Sequence, residues 1–333
     1  MRWAESYRLR LRRKRFRLRA LRKGRELRVA ADRTAEIRPD DILLFATVRN
    51  ERARLPWFMD YYRRLGVAQF LIVDNGSDDG STDWLGSQAD VSLWRTDASY
   101  RASRYGVDWL NRLRWRHGHG HWCLTVDVDE FLIYPFCDTR PLSALTDWLD
   151  ASGVRSFGTI LLDTYPEAPG VAPLAEGQDP VEAAPWFDPG NYRYRRNEVY
   201  QNLWIQGGPR DRALFPHQPD AAPALNKIPL VRWDRRYAYV SSTHMLLPRG
   251  LNHVFDVWGG EKASGVLLHA KFTGALTEKA AEERERREHY AGGREYAAWE
   301  RQAGRSLWCR WSERYANWRQ LEVLGLMSSG NWA

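Results

Sequence analysis

The chain has 333 residues, of which 44% are hydrophobic and 28% charged, a composition typical of a globular protein rather than a disordered or fibrous one. Its formal charge of +8 is unevenly distributed, because residues 1–28 contain 13 Lys/Arg and only two acids. The rest of the chain contains 37 basic and 40 acidic residues, and this slightly acidic balance argues against a nucleic-acid-binding body.

Targeting and redox features predict a cytoplasmic protein. No stretch reaches the ~18 uninterrupted apolar residues of a membrane-spanning helix, and the N-terminus lacks the ~7–15-residue apolar core of a secretory signal. Three cysteines, Cys123, Cys137 and Cys309, form neither a zinc pattern nor a disulfide framework. We therefore expect the chain in the cytoplasm, either free or on the inner face of the membrane.

The basic segment at residues 1–28 has apolar residues between its arginines. At 100° per residue, one side of a helix would carry Trp3, Tyr7, Leu11, Leu18 and Leu21, and the opposite side Leu9, Phe16 and Leu27. Two interpretations stay open: a solvated, partly disordered leader, or a segment that docks on anionic lipid headgroups. Nucleic acid is a less favoured partner.

From residue 41 onward, predicted strands alternate with predicted helices. The strands are Ile42–Val48, Phe70–Val73, Val91–Trp94 and His121–Val126, and the helices are Leu55–Leu65 and Arg104–Arg116. The continuous apolar runs are typical of strands buried on both faces. Their alternation with helices predicts an α/β fold, in which a mostly parallel sheet has helices on both sides.

The pattern is weaker after Leu132. Residues 163–190 are rich in Pro, Gly, Ala and acids, which predicts a long excursion. Two segments are predicted as strands of a second layer, Tyr192–Ile205 and Leu230–Val240. Thr277–Tyr290 is predicted as a charged helix, and the Trp- and Arg-rich last 40 residues as helices packed on the body.

Asp127 and Asp129 directly follow an apolar strand and are themselves followed by Glu130. Residues i and i+2 of an extended segment project to the same side. The two carboxylates would therefore form a negative site that suits Mg²⁺ or Mn²⁺, with coordination positions left for substrate phosphates. Such an ion would neutralise a diphosphate leaving group. The alternative is a solvent-facing acidic turn.

Polar residues also end the first two strands. Asp74 ends the second strand, where open α/β sheets bind ligands, and could accept a hydrogen bond from a base or a ribose. It could also belong to a turn that caps the next helix through Ser81 or Thr82, and both roles can hold at once. Residues 47–51 end the first strand, and Asn50 there could be a helix cap.

These three motifs, RNE, IVDNGSDDGS and DVDEF, each at the end of a strand, resemble those of family 2 glycosyltransferases in order and spacing. The last two resemble a bacterial branch related to the family-92 type transferases, and the resemblance covers residues 42–135. It implies a Rossmann-like GT-A fold and a Mn²⁺ or Mg²⁺ cofactor. It also implies a nucleotide-sugar donor such as a UDP-sugar, a glycan or glycolipid acceptor, and transfer with inversion.

The resemblance also implies roles for particular residues. The nucleotide would be lined by Thr47, Asn50, Glu51, Asp74, Ser77 and Asp78. Asp127 would approach the ribose and the metal, and Asp129 would bind the metal. His269 is the predicted third metal ligand, with His244 in reserve, and Lys271 would contact a phosphate. A satisfied core histidine and a surface lysine are the alternatives.

An inverting transfer needs a base on the acceptor hydroxyl. The ED pair that family 2 enzymes generally place opposite the DxD motif is missing here. Asp211, in a Gly-rich loop after a predicted strand, is the predicted base, followed by Glu198 and Asp188. Because Arg210 and Arg212 flank it, Asp211 could equally be a salt-bridged structural acid.

The predicted organisation follows from these assignments. It consists of a basic tail (1–36), a GT-A domain with a nucleotide-binding half (37–135) and an acceptor half (136–275), and a C-terminal helical region (276–333).

Two other functions are compatible with parts of the sequence. A phosphohydrolase of the haloacid dehalogenase type also has a strand ending in DxD, but usually near the start of its domain. A non-catalytic protein that binds anionic surfaces on a GT-A scaffold is the other.

Overall fold

The computed structural model describes residues 2–168, 172–255, 261–273 and 306–332. Its helices are α1 Arg2–Lys23, α2 Leu55–Leu65, α3 Ser81–Gly86, α4 Val107–His117, α5 Leu142–Ala151, α6 Pro180–Ala183 and α7 Trp318–Val323. The helix predicted over Thr277–Tyr290 lies outside the described residues. In the described part of the C-terminal region, α7 is a helix, while Glu313–Arg314 pairs as a short strand.

Most strands belong to one mixed sheet. The strands are β1 Arg28–Ala31, β2 Leu43–Val48, β3 Gln69–Asp74, β4 Val91–Arg95, β5 Trp122–Thr125, β6 Glu130–Ile133, β7 Ser156–Tyr165, β8 Trp186–Phe187, β9 Tyr192–Asn197, β10 Asn202–Gly207, β11 Asn226–Arg232, β12 Ala238–Ser241, β13 Met245–Leu247, β14 Ser264–His269 and β15 Glu313–Arg314. The main order is β1-β4-β3-β2-β5-β11-β7-β14-β6, with β8 and β15 added beside β7. Hairpins β9–β10 and β12–β13 stand apart from it.

Four adjacent strands in the first half of the sheet are parallel, while β1 at its edge is antiparallel to β4. Strands β4, β3, β2 and β5 are neighbours in that order and all run in the same direction. The chain therefore builds outward from β2 in one direction and then crosses to β5 on the other side. Sheets of this kind bind ligands at the carboxyl ends of the strands where the order reverses, here between β2 and β5.

Both faces of this parallel half are covered by helices. Leu44 and Ala46 of β2 belong to the apolar core that includes α2, whereas Leu43 and Phe45 belong to the core that includes α4. Successive side chains alternate between faces, so a strand covered on both sides must be apolar throughout. The predicted α/β class, the four predicted strands (β2 to β5) and the two predicted helices (α2 and α4) are confirmed, with boundaries shifted by at most one residue except at the start of α4, which is shifted by three.

The second half differs from the prediction. Strand β11 lies inside the main sheet, antiparallel to both β5 and β7, and not in a second layer. Residues Tyr192–Ile205 form hairpin β9–β10 rather than one strand. The excursion predicted from residue 163 begins later, because β7 continues to Tyr165 with every side chain buried. Strand β6 pairs with β14, so one sheet spans both predicted halves.

The basic N-terminal segment is a helix docked on the body. Leu9 and Ala20 of α1 are buried, and Arg19 forms a 2.6 Å ion pair with buried Asp108 of α4. Leu9 packs with Tyr200 and Val240. The solvated, disordered leader is therefore not what the structure contains. No helix among the described residues is long and apolar enough to cross a membrane.

Candidate functional site

The tip of β2 faces the start of α4. Gly106, which precedes α4, has φ +75°, and a Cβ atom there would lie 2.6 Å from Thr47 Oγ1. Only glycine allows this close approach of the Gly106 backbone to the Thr47 side chain together with that conformation. Asn50, also with positive φ, accepts a hydrogen bond from the Asp78 amide, and its own amide donates to Ser77 Oγ. The predicted nucleotide-lining residues of the first two motifs therefore do meet.

Asp74 is fully buried at the end of β3. Its Oδ1 accepts hydrogen bonds from the amide and hydroxyl of Ser77, and its Oδ2 accepts one from Thr82. Asp74 therefore positions the loop that carries Asp78, whereas α3 begins after Gly80 without a side-chain cap, so the predicted cap through Ser81 or Thr82 is wrong. Glu51 accepts a hydrogen bond from Arg54, which also donates to Thr273 Oγ1, so β2's tip is tied to the residues after β14.

A narrow cavity of about 20 Å³, room for about one water molecule, opens between the tips of β2 and β5, the start of α4 and the turn after β12. Three buried polar atoms that line it have no hydrogen-bond partner within the described part of the chain: Thr47 Oγ1, Thr243 Oγ1 and Arg114 Nε. Buried polar groups are rarely left unpaired. The cavity is therefore prepared for polar ligand atoms.

Arg114 is the most unusual of these groups. It is 1% exposed, donates to Thr125 Oγ1 at 2.6 Å and lies against the rings of Trp233 and Tyr239. Among the described residues it forms no carboxylate ion pair. Burial lowers the pKa of its guanidinium to about 10, which still leaves it charged at neutral pH. A buried cation at a cavity wall attracts anionic ligand groups.

The DxD motif forms the turn between β5 and β6. The Glu130 amide donates to the Asp127 carbonyl at 3.0 Å, and the Asp127 amide lies 3.2 Å from Glu130 Oε2. Lys227 of β11, itself buried, donates to Glu130 Oε1 at 2.7 Å and approaches Asp127 Oδ2 to 3.9 Å. The turn is thus held by a buried lysine that the sequence reasoning had missed.

Electrostatics at this turn favour a bound cation. The pKa of Asp127 is raised by its removal from bulk water and then by the negative charge of Glu130. Its side chain is still 56% exposed, so solvent moderates that rise. Burial would lower the pKa of Lys227, but Glu130 and Asp127 outweigh burial and raise it, so the ammonium stays charged.

Asp129 meets His269, the predicted third ligand. Asp129 Oδ2 lies 3.4 Å from His269 Nε2, and the other ring nitrogen lies 2.6 Å from Oδ1 of buried Asp163. Arg210 donates to the second oxygen of Asp163 at 2.7 Å. Burial alone would lower the pKa of His269, but Asp129 and Asp163 outweigh it and raise the value to about 9.

This arrangement fits a metal in part. A histidine ligand usually donates its second ring N–H to a carboxylate, as His269 can to Asp163. No group of three or more His, Cys, Asp or Glu side chains among the described residues is gathered as a ready metal cage. Asp129 and His269 could supply two ligands with Asp127 beside them, and Mg²⁺ commonly takes its other ligands from water and phosphates.

The remaining predicted residues lie elsewhere. Asp211 is buried in the wide turn Arg210–Leu214, and its Oδ2 accepts from Arg193 at 2.6 Å. Arg210 and Arg212, its sequence neighbours, pair with other acids, Asp163 and Asp188 respectively. The salt-bridged alternative thus describes Asp211, although with a different arginine, and Asp188 is likewise engaged.

The cavity lining also excludes three other predicted residues, Glu198, His244 and Lys271. Glu198 is exposed in the turn of hairpin β9–β10. His244 Nδ1 lies 2.6 Å from the Asn226 carbonyl, so its ring donates there as a neutral imidazole, and burial lowers its pKa to about 3. Lys271 is half-buried two residues after β14.

Sequence reasoning missed Lys227, Asp163, Arg210 and Arg114. Asp163 follows an apolar run around Leu161, as the acids of the predicted site follow theirs, although it lies within β7 and not at its end. For Lys227 and Arg114 no local signal exists.

A search of known protein-family models and of curated protein sequences gave no match for this chain.

Proposed function

We propose that this protein is a metal-dependent glycosyltransferase of the GT-A type, which moves a sugar from a nucleotide-sugar donor to a glycan or glycolipid acceptor. The observation that carries the proposal is the turn after β5, where Asp129 faces His269 and Asp163 holds the second nitrogen of that ring. A nucleotide-sugar reaction needs a cation beside the diphosphate, and this turn ends a strand at the point where the sheet order reverses.

The side chains around the cavity next to this turn support a nucleotide as the ligand, which would lie at the mouth of the cavity because its interior has room for about one water molecule. Its unpaired Thr47 and Thr243 hydroxyls can donate to and accept from polar groups, and Arg114 adds a positive charge. Tyr100 and Tyr105 line the same cavity and offer rings for stacking against a base. We assign the nucleoside to this side and the diphosphate to the side of Asp127.

Asp129 and His269 would hold the Mn²⁺ or Mg²⁺ ion, with Asp127 next to it. When bound, the ion supplies neutralisation of the diphosphate leaving group. Asp163 orients the His269 ring, and Arg210 keeps Asp163 ionised. Lys227 holds the DxD turn through Glu130. Asp211 stays the predicted base for the acceptor hydroxyl, a role for which it would have to exchange its ion pair with Arg193 for the acceptor.

Calorimetry and thermal unfolding with UDP, GDP and CDP, each with Mn²⁺ or with chelator, test the proposal. A ligand that binds only the folded protein at 100 times its Kd stabilises it by about 2.7 kcal/mol. We expect that gain with Mn²⁺ and one of the nucleotides, and its loss with chelator. The Asp129→Ala variant should lose the Mn²⁺-dependent part.

The matched control is Asp220→Ala, because Asp220 is an exposed acid whose removal changes the net charge equally. It should bind as the wild type does. Equal binding of a nucleotide by Asp129→Ala in chelator and by the wild type in Mn²⁺ would refute the metal role. Nucleotide binding without hydrolysis of any donor sugar would favour the non-catalytic alternative.

A further inference from the structure

Helix α1 has two apolar stripes on opposite sides. The inner stripe contains Leu9, Phe16 and Ala20, which pack on the body. The outer stripe consists of exposed Trp3, Tyr7, Leu11, Leu18 and Leu21. At 100° per residue these five lie within about 80° of the helix circumference. The helix as a whole therefore has only a weak amphipathic pattern, because the two stripes oppose each other.

The outer stripe has a basic border. Arg10 lies along one edge and Arg8 and Arg15 along the other, while Lys14 and Arg22 fall within or beside the stripe, all with exposed side chains. Residues 1–28 as a whole contain 13 Lys/Arg against two acids. A helix with an apolar strip and long cations beside it is suited to lie flat at an interface with anionic headgroups.

We propose that the outward face of α1 docks this protein, in the plane of the interface, onto membranes that contain anionic phospholipid. The exposed fraction of Trp3 is 90%, and large apolar side chains in a row are uncommon on a surface that meets only water. Anionic headgroups would form ion pairs with the arginines, and the boundary of the acyl chains would bury the apolar side chains of the stripe. A nucleic acid would use the charges but leave the leucines in water.

The docking face is joined rigidly to the body. Arg19 of α1 pairs with Asp108, and Phe16 lies 4.1 Å below the guanidinium of Arg104. Arg104 in turn donates to the Val240 carbonyl at 2.8 Å. The same segment carries Tyr100 and Tyr105 of the cavity. The membrane would therefore lie one helix diameter, about 10 Å, from the elements that border the candidate site, and the proposal is independent of the enzymatic one.

Co-sedimentation with vesicles tests the docking face. The full-length protein is mixed with vesicles of phosphatidylcholine alone or of equal parts phosphatidylcholine and phosphatidylglycerol. The test variant is Trp3→Gln/Leu11→Gln/Leu18→Gln, which keeps every charge and the inner stripe. Deleting residues 1–28 is a poorer test, because it would also uncover the body beneath α1.

We expect binding to the acidic vesicles only, weakening as salt rises, because exposed charges are screened beyond about 8 Å at 0.15 M. The triple variant should bind on the order of 100-fold more weakly, because three large apolar side chains no longer leave water. The matched control, Tyr194→Gln/Trp311→Gln/Val323→Gln, removes three large exposed apolar side chains elsewhere and should bind normally.

Several results would overturn the proposal. Equal binding to neutral and acidic vesicles would show that the charges have no role. An unchanged affinity of the triple variant would show that the apolar stripe has none. Sedimentation velocity that shows a wild-type dimer and a monomeric triple variant would make the occupant a second copy of the chain. Tight RNA binding that the triple variant retains, with no vesicle binding by the wild type, would make it a nucleic acid. Circular dichroism of each variant should show unchanged helix content.

Discussion

The buried ion pair under the DxD turn gives the sharpest test of the structure. Lys227 and Glu130 are 4% and 1% exposed, and their charged atoms lie 2.7 Å apart. In the Lys227→Met variant, the Glu130 carboxylate would stay buried beside Asp127 without its cation. Breaking one partner of such a pair typically costs about 3–5 kcal/mol. We expect a loss of that size in the free energy of unfolding.

Adding Glu130→Gln to Lys227→Met should restore most of the lost free energy of unfolding. Replacing both charges by neutral groups of similar size is often nearly neutral for stability, and a glutamine oxygen can still accept from the Asp127 amide. The double variant should therefore lie within about 1 kcal/mol of the wild type, which makes the coupling energy at least about 2 kcal/mol. Equilibrium urea unfolding of the four proteins measures it, with unchanged m-values as the check on two-state behaviour.

Arg195→Met is the control for the loss of a cation, because its 3.9 Å pair with Asp220 is exposed on both sides. It should change stability by less than about 1 kcal/mol. A Lys227→Met variant that is equally mild, or a double variant no more stable than the single one, would show that the pair does not hold the turn. The double variant, if stable, also allows nucleotide affinity to be measured without Lys227.

Three further predictions address other parts of the site. Gly106→Ala should destabilise the protein by about 1–3 kcal/mol more than Gly66→Ala, because both have positive φ but only Gly106 would bring a Cβ against Thr47, at 2.6 Å; equal losses in urea unfolding would contradict this contact. His244, with its pKa lowered from 6.5 to about 3, stays neutral in the fold while the unfolded chain takes up a proton, so stability should fall by up to about 1.4 kcal/mol per pH unit from pH 6.5 towards 3. His244→Gln should flatten that slope, and an unchanged slope would assign it to other groups. Asp211→Asn should keep nucleotide affinity and slow sugar transfer by about 10²–10⁴-fold in a radiolabelled-donor assay, and turnover within a few-fold of wild type would exclude it as the base.

The parallel half of the sheet could be predicted because its signals are local. A strand covered on both faces, such as β2, must be an unbroken apolar run, and its polar tip marks the edge where it leaves the core. Strand β11 carries no such signal, since Asn226, Lys227 and Pro229 lie within it. Proline disfavours a central strand. The structure accommodates it at an irregularity of the β7 pairing between Lys227 and Leu230.

In the candidate site, too, some residues could be predicted from local sequence and others could not. Asp127 and Asp129 were recognisable from their spacing after a strand, but their partners come from distant parts of the sequence. Lys227 is 97 residues from Glu130, and His269 is 106 residues from Asp163. Only the order of β5, β11, β7 and β14 in the sheet brings these tips to one edge. Sequence periodicity contains no information on that order.

The charges gathered at this edge explain why two predicted metal ligands face each other as an ion pair. Four carboxylates lie together: Asp127, Asp129, Glu130 and Asp163. Lys227 and Arg210 are two permanently charged partners of this group. A divalent ion is a ligand that carboxylates gathered in this way would attract. The carboxylates of Asp129 and Asp163 also favour a proton on His269, which raises the pKa of that ring. A metal bound at Asp129 would have to displace this proton, so proton and metal should compete for the same negative site.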